Sequence, residues 1–92
     1  MIRTFKSKAL AELVSTKTTR RIDARMHRRT LARLFQLHAA ATPEDMNVPD
    51  FDFHALRGFV PTRYSVHVNG PWCITFEFRD GDAYAVDFEQ YH

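Results

Sequence analysis

The spacing of apolar residues changes along the chain, and this change constrains the fold more than any other feature. In roughly the first forty residues the apolar side chains recur every three or four positions, which is typical of helices that bury one face. From Arg63 onward they alternate with polar side chains, which is typical of strands that bury one face. Residues 42–53 separate the two halves and contain two prolines and four acidic residues, a composition typical of a loop. We therefore predict one α+β domain over residues 1–92, with two N-terminal helices packed on a small, twisted antiparallel sheet.

The two helices are predicted over residues 5–15 and 20–40. The apolar side of the longer helix comprises Ala24, Leu31, Leu34, Phe35 and His38. Its arginines are predicted to face solvent, namely Arg25, Arg29 and Arg33. Residues 2–4 are a candidate for an additional strand at the edge of the sheet.

The sheet is predicted to contain strands that begin near Arg63, Trp72 and Tyr84. A two-residue turn at Asp80-Gly81 would put the apolar faces of the last two strands on opposite sides. A three-residue turn over residues 79–81 removes this conflict, so we predict that turn. It places the bulky residues on one face, pairing Phe76 with Tyr84, Ile74 with Val86 and Trp72 with Phe88. The other face is predicted to look toward solvent, and it carries Cys73, Thr75, Glu77, Ala85 and Asp87.

Composition excludes several classes of protein. Cys73 is the only cysteine, so an intramolecular disulfide is impossible, and no Cys/His set has zinc-finger spacing. No apolar run approaches the roughly 18–20 residues that span a bilayer. The N-terminal segment also lacks the apolar run and cleavage site of a signal peptide. We therefore predict a cytoplasmic protein that contacts no membrane and needs neither a metal nor a cofactor.

Charge is distributed unevenly along the chain. Residues 1–33 hold ten Lys and Arg against two acidic residues, a net charge of +8, whereas residues 34–92 have a net charge of −6. A solvated helix face and a surface for a polyanion, either nucleic acid or an acidic partner protein, both remain open. On the second interpretation Arg25 and Arg29 contact phosphates rather than bases, because residues 20–33 contain no aromatic side chain.

Candidate acid–base residues lie on either side of the predicted sheet. His54 and Arg57 come shortly before it, and Tyr91-His92 follow its last strand. Histidine titrates near neutral pH, so these groups form an acid–base site if the fold brings them together. Otherwise Tyr91-His92 is only a tail. His67, on the polar side of a strand, is a lesser candidate.

The sequence resembles the HigB (plasmid-maintenance killer) toxins of the RelE/ParE superfamily along its full length. The resemblance rests on the segments MIRTFKSKALAEL, FHALRG and RYSVHVNGPWCITFEFRDGDAYAVDFEQYH, and the part from Trp72 to His92 is the most specific. It implies a RelE-like fold and a toxin of a type II toxin–antitoxin system that cleaves mRNA on the ribosome. It also implies a HigA-like helix-turn-helix antitoxin as partner, through which the toxin contacts operator DNA indirectly. The basic helices are then expected to contact ribosomal RNA.

The same resemblance implies a catalytic site at His54, Arg57, residue 73, Tyr91 and His92. A ribose 2′-hydroxyl attacks the adjacent phosphate in this chemistry, and His54 and His92 exchange the protons in an order that remains open. Arg57 stabilises the charge on the phosphate, and Tyr91 positions the nucleotide. No metal is required.

Residue 73 departs from the family pattern, because many relatives have arginine where this chain has Cys73. A thiol cannot supply a fixed positive charge. The toxin is therefore expected to be weakened, to draw compensation from Arg63 or Arg79, or to be an inactive antitoxin-binding variant. A non-nuclease, gyrase-directed toxin on the same scaffold is a further alternative.

Overall fold

The fold is that of a helical layer on an antiparallel sheet, as a computed structural model of the chain describes it for residues 1–91. Two helices, α1 (Lys8–Thr16) and α2 (His27–Ala39), precede four strands in the described part of the chain. The strands are β1 (His54–Leu56), β2 (Arg63–Asn69), β3 (Trp72–Arg79) and β4 (Asp82–Gln90), and they lie in this order in one sheet. Short 3₁₀ turns occupy Ala24–Met26 and Pro43–Met46. The prediction of an α+β fold with a RelE-like arrangement is confirmed.

Helix α1 starts three residues later than predicted because the chain before it runs along the sheet. Ile2 and Phe5 form parallel bridges with Ala83 and Val86 of β4, so residues 2–4 border the sheet edge as expected. The Ser7 hydroxyl then accepts a hydrogen bond from the Leu10 amide at 3.2 Å and caps the helix.

Helix α2 is shorter than predicted, and it is rotated relative to the predicted apolar side. Its buried residues are Thr30, Arg33, Leu34 and Leu37, which recur at helical spacing. Phe35 is 53% exposed instead of buried, and Ala24 and His38 are exposed as well. Arg33, predicted to face solvent, is buried, and its guanidinium bonds to backbone carbonyls of β2 and of the loop before β1.

One face of the sheet forms the core together with the helices. Its fully buried side chains are Val66, Val68, Ile74, Phe76, Ala83 and Val86. They pack against a matching set from the helical layer, namely Leu10, Leu13, Leu34, Leu37 and Met46.

The predicted register between β3 and β4 is wrong. Asp80 and Gly81 both have positive φ, 52° and 82°, and form a two-residue turn that pairs Arg79 with Asp82. A bulge between the pairs Glu77–Tyr84 and Thr75–Asp87 then inserts one extra residue into β4, where Ala85 has φ of 50°. The bulge restores the apolar face that the short turn alone would disrupt. As a result Val86 is buried, and Tyr84 lies on the opposite face beside Arg79.

The second face of the sheet is not simply a solvated surface, contrary to the prediction. Ser65 and Thr75 are fully buried, and Cys73 and Arg63 are only 7% and 8% exposed. The Arg63 guanidinium donates hydrogen bonds to the Glu77 carboxylate at 3.2 Å, the Thr75 hydroxyl at 3.0 Å and the Ala85 carbonyl at 2.9 Å. This polar network closes the centre of the face, and a cavity opens beside it.

Candidate active site

A cavity of about 770 Å³ lies on this second face of the sheet. Strands β1, β2 and β3 and the segment after β4 contribute to it. Its walls are formed by Asp52, His54, Leu56, His67, Gly70, Pro71, Cys73 and Tyr91. Three of the residues expected at the catalytic site, His54, Cys73 and Tyr91, therefore meet at one place although they are far apart in the sequence.

The strand register explains why these side chains share a face. His54 pairs with Ser65, His67 pairs with Cys73, and Cys73 pairs with Glu89. Paired residues project to the same side of a sheet, and so do residues two apart on one strand. Tyr91 lies two residues after Glu89, so by the same alternation its side chain projects to this face. Its backbone N–H donates to the Pro71 carbonyl at 2.7 Å, which fixes the segment after β4 against the β2–β3 turn.

The hydrogen bond of His54 defines which ring nitrogen can act as a base. Its Nδ1 lies 2.9 Å from the backbone carbonyl of Asp52. A carbonyl only accepts, so Nδ1 carries the hydrogen and a neutral ring has Nε2 as its proton acceptor. His54 is exposed, so this nitrogen is accessible to a substrate.

Tyr91 is held in its protonated form by its surroundings. Burial raises the pKa of the phenol above its ordinary value of 10.0, and the nearby Glu89 carboxylate raises it further. The phenol is thus neutral at physiological pH and can donate a hydrogen bond or a proton to a substrate oxygen.

Neither of the arginines expected to compensate for Cys73 lines the cavity. The Cys73 thiol contacts the Pro71 carbonyl at 3.9 Å. Arg63 lies on the same face, but its guanidinium is occupied by Glu77, Thr75 and the Ala85 carbonyl. Arg79 stacks on Tyr84, with its guanidinium carbon 3.9 Å from the ring centre. We therefore interpret Arg63 as a residue that supports the sheet, in contrast to its predicted role in substrate binding.

Of the predicted catalytic residues that the structure describes, Arg57 is not among the cavity walls. Arg57 is exposed in the turn that follows β1. His92 lies outside the described residues. No three His, Cys, Asp or Glu side chains in residues 1–91 are grouped so that they could hold a metal ion together. In the same part of the chain no helix is long and apolar enough to cross a membrane.

A basic groove lies on the other side of the β2–β3 turn from the cavity. Arg25, Met26, Arg28, Arg29, Ala32 and Asn69 line it over about 420 Å³. Arg25 is paired with Asp23 at 2.9 Å, which holds the pKa of that carboxyl at about 2. Arg29 donates to the Val68 carbonyl at 3.1 Å.

The groove continues toward the cavity that contains His54. An adjoining cleft contains Arg21 and Arg25 on one side and Gly70 and Pro71 on the other. Gly70 and Pro71 are also walls of the cavity. The β2–β3 turn is therefore a shared wall between the basic surface and the cavity.

Comparison with known proteins shows which family this arrangement represents. A family model described as "RelE-like toxin of type II toxin-antitoxin system HigB" matches residues 3–92. The chain belongs to the HigB toxin family. It is also 34% identical over 92 residues to a Proteus vulgaris protein named Endoribonuclease HigB, and the match covers 100% of both chains. The resemblance predicted from the sequence is confirmed, and a toxin of a type II system has an antitoxin as its partner.

His67, a lesser candidate from the sequence, and Asp52, which the sequence did not indicate, also line the cavity. The sequence signal for His67 is its position on the polar side of β2, because Cys73 lies on the same side of the next strand. The position of Asp52 could not be derived in this way, since it depends on a left-handed turn with φ of 45° just before β1. Strand β1 itself spans only three residues and was not predicted.

Proposed function

We propose that this HigB-family toxin is a ribosome-dependent endoribonuclease that cleaves mRNA by metal-independent acid–base chemistry. The observation that carries the proposal is the cavity in which an accessible histidine and a neutral tyrosine converge. The Proteus vulgaris relative, which carries the name of an endoribonuclease, supports the same activity.

The reaction begins with a ribose 2′-hydroxyl of the mRNA. His54 takes its proton at Nε2 while the 2′-oxygen attacks the adjacent phosphorus. The bond from phosphorus to the 5′-oxygen breaks, and that oxygen receives a proton from Tyr91 or His92. The products are a 2′,3′-cyclic phosphate and a free 5′-hydroxyl. Arg57, in the turn beside β1, stabilises the negative charge that grows on the phosphate oxygens.

The basic groove is proposed to hold the toxin on the ribosome. Arg25 and Arg29, together with Arg21 and Arg28, provide positive charge for ribosomal RNA phosphates next to the cavity. Translating ribosomes place this activity in the cytoplasm. The antitoxin that neutralises it is proposed to be a HigA-like helix-turn-helix protein, which also links the toxin to operator DNA.

A weakened toxin is the second candidate, and one observation favours it. Cys73 lines the cavity without supplying a cation, and Arg63 and Arg79 are engaged elsewhere. On this view the protein still binds its antitoxin but cleaves slowly.

Mapping the 5′ ends of a reporter mRNA distinguishes these functions. The mRNA is translated in a purified system with wild-type protein, with His54→Gln, with His92→Ala, or with His38→Gln as a control histidine outside the cavity. Our proposal expects new 5′ ends within codons for wild type and His38→Gln, and few or none for the other two variants. Equal cleavage of naked RNA would exclude ribosome dependence. Growth inhibition without cleavage would support a non-nuclease toxin, and the absence of both would support an inactive variant.

A further inference from the structure

The cavity contains a second histidine that the proposed reaction has not used. His67 lies on β2, and the two histidines are the wall residues that can carry positive charge in the described part of the cavity. Displacement at phosphorus builds negative charge on the non-bridging oxygens, and a nearby cation stabilises it. His54 is used as the base and Arg57 lies outside the cavity walls, so a cation within the cavity adds to the stabilisation that Arg57 provides.

The register places His67 beside Cys73. The two residues are direct cross-strand partners on the cavity face. The β-carbons of such partners lie about 4.5–5.5 Å apart, so both side chains can reach the same point in the cavity. A positive charge on either residue can therefore stabilise the same substrate atom.

The ring of His67 is oriented by one hydrogen bond and its backbone by two more. Nε2 lies 3.0 Å from the Gly70 carbonyl, so this nitrogen carries a hydrogen and Nδ1 remains for a substrate. The His67 carbonyl accepts a bond from Arg33 at 2.6 Å, and its N–H donates to the Phe51 carbonyl at 2.6 Å. The strand is thus fixed at this residue while the ring is half-exposed.

His67 also borders the basic surface. It is a wall of the cavity and of a second groove that contains Arg29, Arg33 and Asp50. A phosphate chain that passes from the arginines to His54 meets His67 on the way.

We infer that His67 is a further catalytic residue of this chain, whose protonated imidazole contacts the scissile phosphate at the place where Cys73 offers no charge. This inference rests on the proposed function, because it concerns the same cleavage reaction. It predicts that residues 67 and 73 are interchangeable as the source of one positive charge.

The test combines His67→Gln with Cys73→Arg. Single-turnover cleavage is measured on ribosomes programmed with a reporter mRNA and saturated with toxin, so that differences in ribosome binding do not contribute. We expect His67→Gln to lower the cleavage rate by about 10²-fold. Adding Cys73→Arg to His67→Gln should raise the cleavage rate at least about tenfold above that of His67→Gln alone, because arginine supplies the positive charge from the partner strand.

A matched control replaces a histidine outside the cavity whose ring nitrogen also bonds to a backbone carbonyl. His27 is half-buried like His67, and its Nε2 lies 2.7 Å from a backbone carbonyl, that of Ile22, as the Nε2 of His67 lies 3.0 Å from the Gly70 carbonyl. His27→Gln should cleave at the wild-type rate, and circular dichroism should show the same folded spectrum for all variants. A His67→Gln protein that is folded and fully active would refute the inference while leaving the proposed function intact. A loss that Cys73→Arg does not relieve would refute the charge role, and a wild-type protein without cleavage would refute the proposed function and this inference together.

Discussion

At the scale of single residues, Arg33 connects three parts of the chain around the candidate active site. Its guanidinium donates to the carbonyls of His67 and Asp50 at 2.6 and 3.3 Å, and its centre lies 4.4 Å from the Phe51 ring centre. Burial lowers the pKa of Arg33, and the neighbouring Arg29 lowers it further. One buried arginine therefore holds helix α2, the loop before β1 and strand β2 together.

Replacing this arginine by lysine tests the connection. Arg33→Lys keeps the charge but loses the planar fork that serves two carbonyls and the aromatic ring. Hydrogen bonds that involve a charged group contribute roughly 1.5–3 kcal/mol, so losing part of this set should lower the free energy of unfolding in urea by about that amount. Arg28→Lys, an exposed arginine of the same helix, should change it by less than about 0.5 kcal/mol. Equal effects of the two variants would contradict the structural role of Arg33.

Tyr91 allows a second residue-scale prediction. Its pKa lies above 10.0, so the phenol is protonated throughout the physiological range and acts as a hydrogen donor. We expect Tyr91→Phe to lower cleavage by about 10²-fold, and the wild-type rate should show no loss from phenol ionisation below pH 10. Tyr84→Phe is the control, since that ring lies beside Arg79 outside the cavity. Activity in Tyr91→Phe equal to that in Tyr84→Phe would show that the hydroxyl is not needed.

At the scale of secondary-structure elements, the bulge in β4 has the greatest effect on the fold. Ala85 adopts φ of 50°, a left-handed conformation that is unfavourable for a residue with a β-carbon. Its carbonyl accepts a bond from Arg63, and its N–H donates to the Thr4 hydroxyl at 2.8 Å. Contacts with two neighbouring segments therefore hold the strained residue in place.

Two alanines of β4 should respond oppositely to glycine. Ala85→Gly relieves the left-handed conformation, and we expect stability to rise by up to about 1 kcal/mol. Ala83→Gly removes a fully buried methyl group from a regular strand position and should lower stability by about 1 kcal/mol. Thermal unfolding of both variants measures the difference. A lower melting temperature for Ala85→Gly would mean that the conformation of residue 85 is not strained.

The elements that the sequence predicted are those with a sustained pattern. Alternation over seven or more residues identified β2 and β3, and the β2–β3 turn followed from Asn69-Gly70. The bulge could not be predicted, because its left-handed position holds alanine rather than the usual glycine. Among the site residues, Cys73 and His67 follow from parity along two long strands. The position of His54 beside Cys73 and His67 depends on strand β1. This strand spans only three residues, too few to show the alternation of apolar and polar residues that predicts a strand.

At the scale of the whole molecule, the excess of positive charge in the N-terminal half of the sequence lies on one surface of the fold. The arginines of the N-terminal half line a groove and cleft on one side of the β2–β3 turn. The cavity with both histidines lies on the other side of the same turn. The positively charged surface and the candidate active site are thus adjacent surfaces of the molecule.

Charge reversal on the groove tests its role in ribosome binding. Arg21 and Arg28 line this surface without the ion pair of Arg25 or the carbonyl bond of Arg29, so Arg21→Glu with Arg28→Glu should leave the fold intact. We expect the slope of log affinity against log salt to decrease by about 1.4–1.8, the value for two lost phosphate contacts. Reversing Lys6 and Lys8, which lie outside the groove and cleft, makes the same change in net charge. An equal decrease in that control would show that net charge, and not this surface, governs binding.

The bulge at Ala85 has a further consequence for how this toxin can change during evolution. Strand β4 can lose one residue at that point and still direct Val86 inward and Tyr91 toward the cavity, because the extra residue is the one removed. A deletion of one residue between Asp87 and Glu89 would instead turn Tyr91 to the opposite face. Relatives with one residue fewer in this strand should therefore lack the position of Ala85, where a deletion leaves the directions of Val86 and Tyr91 unchanged.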